Sequence, residues 1–160
     1  MESLFTEDGK QKFISRINNL TPDAKANWGK MNVAQMLRHC QLSINDTVGL
    51  SDKSKDERPF MKRFFKKTMS LLLGKVVKKQ VLQSTEMKKN MPTADSYKVT
   101  GEQDFETEKK NLIEAINVLY VKGVEKSLSA KHPFFGKMSL EEWNLLHVKH
   151  LNHHLSQFGV

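Results

Sequence analysis

The chain has 160 residues and a formal charge of +8, from 26 basic and 18 acidic side chains. That length suits one domain, expected over residues 1–160, and can bury a proper core. No apolar run approaches the roughly eighteen residues of a membrane span, the acidic start Met-Glu-Ser-Leu-Phe-Thr-Glu-Asp lacks a secretory pattern, and the lone Cys40 can form no internal disulfide, so the expectation is a cytoplasmic protein without a transmembrane segment.

Hydrophobic spacing predicts a first helix over 9–19, with Phe13, Ile14 and Ile17 on its inner side. Thr21-Pro22-Asp23 then reads as the start of a short helical turn, proline being tolerated at a first helical position. Asn32 followed by Gln35 is a capping box that opens a second main helix. Val33, Met36, Leu37, Cys40, Ile44 and Val48 form its core stripe, and His39 falls on the flank beside Met36. Alone, such a histidine reads as a half-exposed polar residue.

Residues 51–90 differ in character. They hold twelve basic and four acidic residues, an excess equal to the charge of the whole chain. Pro59-Phe60 opens an amphipathic pattern with Phe60, Phe64, Met69, Leu72 and Leu73 inward, and Gly74 weakens or ends it. A basic amphipathic helix can bind an anionic membrane or nucleic acid, and otherwise is a solvated face. No nucleic-acid motif accompanies it, so no specific nucleic-acid partner is expected. The stretches 76–82 and 97–100 are the places where a short strand could form.

A loop is expected over 91–95 and a third long helix from about Asp104, with Glu106 and Glu108 placed well for the helix dipole. Phe105, Leu112, Ile113, Ile116, Leu119 and Tyr120 make its core stripe, and Gly123 is expected to stop it. His132 precedes a proline in the following loop and reads as a structural or gate residue rather than a ligand.

The last helix carries four of the six histidines. Ser139 with Glu142 is a second capping box, so this helix should begin at Leu140. At about 100° per residue, Leu140, Trp143, His147, His150, Leu151, His154 and Phe158 share one face, the one that should pack inward. Buried imidazoles need partners for both nitrogens, and each unpaired buried polar group costs on the order of 1–3 kcal/mol. A divalent cation removes that difficulty by taking one nitrogen of each neutral ring. His150 and His154 are four apart, which lets two rings converge; a structural histidine cluster is the rival explanation. Leu151 stands where a zincin protease needs its glutamate, so that chemistry is excluded. Should the second and last helices pack side by side, His39 could reach across the seam as the third ligand, as facing helices of bundles do. Four long helical patterns with one longer excursion give the expected fold: all-α, an up-and-down four-helix bundle with an extra basic helix between the second and third core helices.

Four segments carry a resemblance to a known family. They are Trp28-Gly-Lys-Met-Asn-Val-Ala-Gln-Met-Leu-Arg-His39-Cys40, Lys89-Asn-Met-Pro92-Thr, His132-Pro-Phe-Phe-Gly-Lys-Met-Ser-Leu-Glu-Glu-Trp143, and His150-Leu-Asn-His-His154-Leu-Ser-Gln157-Phe-Gly. Together they resemble a short branch, itself without an assigned reaction, of the DinB/YfiT-like superfamily. The resemblance implies a four-helix bundle with a divalent metal, nickel or zinc in many members, held by His39, His150 and His154. It also implies the reaction classes of characterised relatives, which are thiol-dependent transferases and isomerases and metal-dependent hydrolases. Leu155-Ser156 stands where the common signature has Arg-Gly, which leaves the ligands intact and puts in question any substrate contact of that arginine.

The leading expectation is therefore a metal-dependent transferase or hydrolase acting on a small molecule, with a low-molecular-weight thiol or water as nucleophile. His147, one turn before His150, is the candidate for proton transfer; a substitute ligand or a packing residue are its other roles. The alternative is a non-catalytic bundle whose basic 51–90 face binds an anionic partner, with the histidines structural or the metal vestigial. Because several members of the superfamily dimerise through bundle faces, a homodimer through the Phe-rich 59–73 helix is a further expectation.

Overall fold

A computed structural model describes residues 2–50, 76–84, 86–90, 93, 97–132 and 135–160. The basic amphipathic helix expected over 59–73, and most of the loop expected over 91–95, lie outside the described residues. The chain is mostly helical. No helix among the described residues is long and apolar enough to cross a membrane.

Helix α1 spans Glu7–Asn18, two residues earlier than its apolar spacing suggests. Thr6 sets that start by accepting the Gly9 amide, and Glu7 and Asp8 sit at the positive end of the dipole. Thr21-Pro22-Asp23 forms no helix. It is a tight turn closed by the Ala24 amide on the Thr21 carbonyl at 3.1 Å. The chain then gives its Asn27 N–H to the Gln157 carbonyl instead of continuing a helical ladder.

Helix α2, Val33–Val48, opens on both halves of the Asn32/Gln35 capping box and ends where Gly49 turns left-handed at φ 75°. All six expected core positions of this helix are buried. Residues 76–83 are helical (α3), against the expectation of a strand over 76–82. Valine-rich sequence leans toward strand by less than about 1 kcal/mol per residue, and three long-range attachments override it. Val81 and Leu82 pack on the cluster of Met138, Trp143 and Leu146. Lys78 pairs with Glu142 at 2.8 Å. Lys149 donates to the carbonyls of Val81 at 3.0 Å, Leu82 at 2.6 Å and Ser84, capping the negative end of the helix. Replacing Lys149 with methionine should accordingly speed amide exchange at Ser84 by about tenfold while moving global stability by only about 1 kcal/mol. Exchange at wild-type rate would contradict that attachment.

Helix α4 spans Phe105–Ser129 from its Asp104 cap and runs straight through Gly123, which was expected to stop it. A Cβ at position 123 would lie 2.7 Å from the Phe5 ring and 2.9 Å from Leu119. The glycine makes room for the N-terminal segment; it is not a terminator. Lys131–His132 (β1) and Gly136–Lys137 (β2) pair antiparallel, and 97–100 joins no sheet. Helix α5, Leu140–Gln157, begins on the predicted Ser139/Glu142 capping box.

Side chains from α1, α2, α4 and α5 meet in one core, with Ile17, Leu37, Ile116 and Leu151 fully buried. Contacts fix the helix senses. Leu4 N–H donates to Asn144 and Arg16 donates to Asn152, so α1 and α5 run the same way. Lys10 lies over Tyr120 and Lys109 reaches the Leu20 carbonyl, so α4 runs against α1. Thr47 meets His147 and His39 meets His150, so α2 runs against α5. Helices α2 and α4 are packed against each other and are therefore parallel, so the strict up-and-down alternation of the expectation breaks between them. Parallel neighbours need a return along the full helix length, as the long crossovers of some bundles provide. The chain between Val48 and Phe105, much of it outside the described residues, joins the two.

Candidate metal centre

His39 projects from the second turn of α2, and His150 and His154 from successive turns of α5. Their ring centroids form a near-equilateral triangle with sides of 4.9, 4.8 and 4.7 Å. One nitrogen of each lies within 4.8 Å of the others, and among the described residues these three form the group able to hold a metal ion. His39 is 6% and His154 8% exposed, while His150 is less fully buried. The three histidines grouped from the sequence lie together in the structure, and His39, half-exposed by its local pattern alone, is buried. Helix α5 and the Tyr97 backbone cover that flank, and neither is visible in the local pattern.

Hydrogen bonding assigns the tautomers. The Tyr97 carbonyl can only accept, so the 2.9 Å contact makes His39 Nδ1 the donor. The Gln157 amide gives its Nε2 protons to the Trp28 carbonyl, which leaves Oε1 facing His154 Nδ1 at 2.9 Å. His154 Nδ1 is therefore also a donor. In neutral rings both Nε2 atoms then carry lone pairs free to ligate. His39 Nε2 lies 3.0 Å from His150 Nε2. Two nitrogens about 2.0–2.1 Å from one ion stand about 2.9 Å apart at a right angle and about 3.4 Å apart at the tetrahedral angle. Without an ion, His150 donates Nε2–H into the His39 lone pair.

The rings also hold the protonation state that a metal needs. Burial pushes His154 down to about 3, with His39 adding to it and Gln157 opposing. His39 is lowered by burial, opposed by its bond to Tyr97. His150 is held well below its ordinary value by burial and by the rings of His154, His39, His147 and His153. The donor set thus fits a divalent cation: three neutral imidazoles, two of them oriented by oxygen acceptors behind the ring, the arrangement usual for metal-bound histidines.

His147 lies apart from the triangle. It is 1% exposed, stacked on Trp143 at 5.7 Å, and bound through Nε2 to Thr47 Oγ1 at 2.9 Å. Burial, with His132 adding, lowers it to about 4. Its Nδ1 is buried without a hydrogen-bond partner among the described residues. His153 meets Trp28 edge-on at 5.7 Å, and Lys89 covers the Trp28 ring at 4.2 Å. His132 accepts the Phe135 amide at 3.0 Å and stacks on that ring, in keeping with its structural reading. Cys40 neighbours His39 in sequence but is fully buried beside Met36, and burial pushes its thiol up, so it is inert as a nucleophile.

Gln157, Tyr97 and the 27–29 loop have contacts at the site that the sequence alone does not assign. Gln157 was legible as a polar residue three places after His154, on the same face. The Tyr97 contribution comes from a backbone carbonyl and carries no residue signature.

A family model described as "Protein of unknown function (DUF1569)" matches residues 1–159. No curated protein and no solved structure matches the chain.

Proposed function

Since the chain belongs to the DUF1569 family of proteins of unknown function, we propose from its own geometry that it is a divalent-metal-dependent enzyme of transferase or hydrolase type. The observation that carries this reading is the convergence of His39, His150 and His154 with two Nδ1 protons already committed to oxygens. The resemblance to DinB/YfiT-like proteins, with their four-helix bundle and nickel or zinc site, supports it.

When bound, a divalent cation supplies a Lewis acid that lowers the pKa of a coordinated water or thiol toward neutrality. The residues of this chain do the rest. Tyr97 and Gln157 keep two rings in the ligating tautomer, and burial limits competing water. Cys40 is sealed, so the thiol of the transferase version comes from a small-molecule co-substrate. His147 is neutral in the fold and its Nδ1 has no hydrogen-bond partner among the described residues, and we assign it the role of proton acceptor.

The alternative is a non-catalytic bundle with an anion-binding face. Of the basic residues of 51–90 that are described, Lys78 pairs with Glu142 and Lys89 lies over Trp28, and most of the others lie outside the described residues.

The test is a paired screen on nickel- and zinc-loaded protein, using activated esters for hydrolysis and small thiols with an alkyl halide or epoxide for transfer. Turnover that needs the metal, and that falls in His147→Phe while the metal content stays, is the expected result. Turnover equal with and without metal across both arms would overturn the reading.

A further inference from the structure

We infer that Gln157 is a positioning residue for the candidate ion, and that through it filling of the histidine triangle and fastening of the 27–29 loop are one event. This rests on the metal reading above and adds a coupling to it. Gln157 is the last residue of α5 and is 3% exposed. Its amide is used at both ends. Oε1 accepts from His154 Nδ1 at 2.9 Å, and Nε2 donates to the Trp28 carbonyl. Its backbone carbonyl accepts the Asn27 N–H at 2.8 Å. One residue therefore binds a ligand ring on one side and the loop on the other.

The loop is shaped for that contact. Gly29 sits at φ 85°, and a Cβ there would lie 2.5 Å from Gln157 Nε2. The left-handed backbone is easy for glycine, and the missing side chain is what lets the amide reach Trp28. The amide cannot be reversed, because that would set Oε1 against the Trp28 carbonyl, which can only accept. Coupling follows from polarisation along the chain of bonds. When the His154 Nε2 lone pair is given to a cation, its Nδ1–H becomes a stronger donor to Oε1. A more polarised amide in turn donates more strongly to Trp28. A glutamine acting only as a helix end would protect the loop equally with and without metal.

The experiment measures nickel and zinc dissociation constants by chelator competition, together with amide exchange at Asn27, in wild type, Gln157→Leu, Gln157→Glu and Gly29→Ala. In wild type, metal should slow exchange at Asn27. Gln157→Leu should weaken metal binding by about tenfold to a hundredfold, the range for partners behind a ligating histidine, and remove the metal dependence of Asn27 exchange. Gln157→Glu keeps an oxygen for His154 and loses the donor to Trp28, so it should bind metal more tightly than Gln157→Leu yet show no metal dependence of Asn27 exchange. Gly29→Ala, which touches no ligand, should also weaken metal binding. Wild-type affinity in both Gln157→Leu and Gly29→Ala, or Asn27 exchange indifferent to metal, overturns this inference and leaves the metal centre standing. A wild-type protein that takes up neither ion overturns both.

Discussion

Alanine in place of His154 should leave the protein without a stoichiometric divalent cation, its affinity for nickel or zinc lowered on the order of a hundredfold or more, beyond the loss from a supporting partner alone. The substitution removes one of three converging nitrogens and leaves a two-histidine remnant. It also strands Gln157 Oε1, which loses the His154 Nδ1 donor at 2.9 Å. His39→Ala should behave alike, because the α2 ligand is the one that α5 cannot supply. His153→Ala, one residue from His154 and outside the triangle, is the control that should keep its metal. The loss should also be visible as stability. A ligand at a hundredfold excess over its dissociation constant raises stability by about 2.7 kcal/mol, and that gain should vanish in His154→Ala while wild type keeps it. Calorimetric titration and thermal melts with and without metal read both effects. Equal metal affinity in wild type and His154→Ala would contradict the assignment.

The metal-free protein should lose stability steeply in mild acid. Unfolded imidazoles titrate near 6.5, whereas burial lowers His147 to about 4 and His154 to about 3 in the fold. The folded values are the lower ones, so below 6.5 the unfolded chain takes up protons that the native state refuses. Stability is complete above about 6.5 and is lost as the pH falls, each such ring contributing about 1.4 kcal/mol per pH unit. For His147 the loss levels off near 4 and amounts to on the order of 3 kcal/mol. His39, His150 and His153 shift in the same direction and steepen the decline. Urea midpoints measured from pH 7.5 to 4 give the slope. His147→Phe, which keeps a ring on Trp143, should make it shallower by one group. A flat profile, or one unchanged by that substitution, would contradict the buried neutral state of His147.

Much of this was written locally in the chain. Both capping boxes, Asn32/Gln35 and Ser139/Glu142, formed as read, because cap and helix lie within four residues of one another. His150 and His154 lay four apart on an inward face, so their convergence was legible. What was missed depends on partners distant in sequence. Gly123 looked like a terminator because the Phe5 ring that needs its space is far along the chain. Val76, Val77 and Val81 looked like strand because their helix is fastened by Lys149 and Glu142 of α5. The parallel pairing of α2 and α4 could not be read from four similar amphipathic stripes, which are alike in either direction. His39 was placed on the right flank, yet the bond to Tyr97 that buries and orients it is to a main-chain oxygen.

The central claim is that His39, His150 and His154 share one cation, and elemental analysis of protein purified without an affinity tag tests it most directly. After equilibration with nickel or zinc and removal of the excess, the account predicts close to one ion per chain. A content near zero in folded wild-type protein would contradict it.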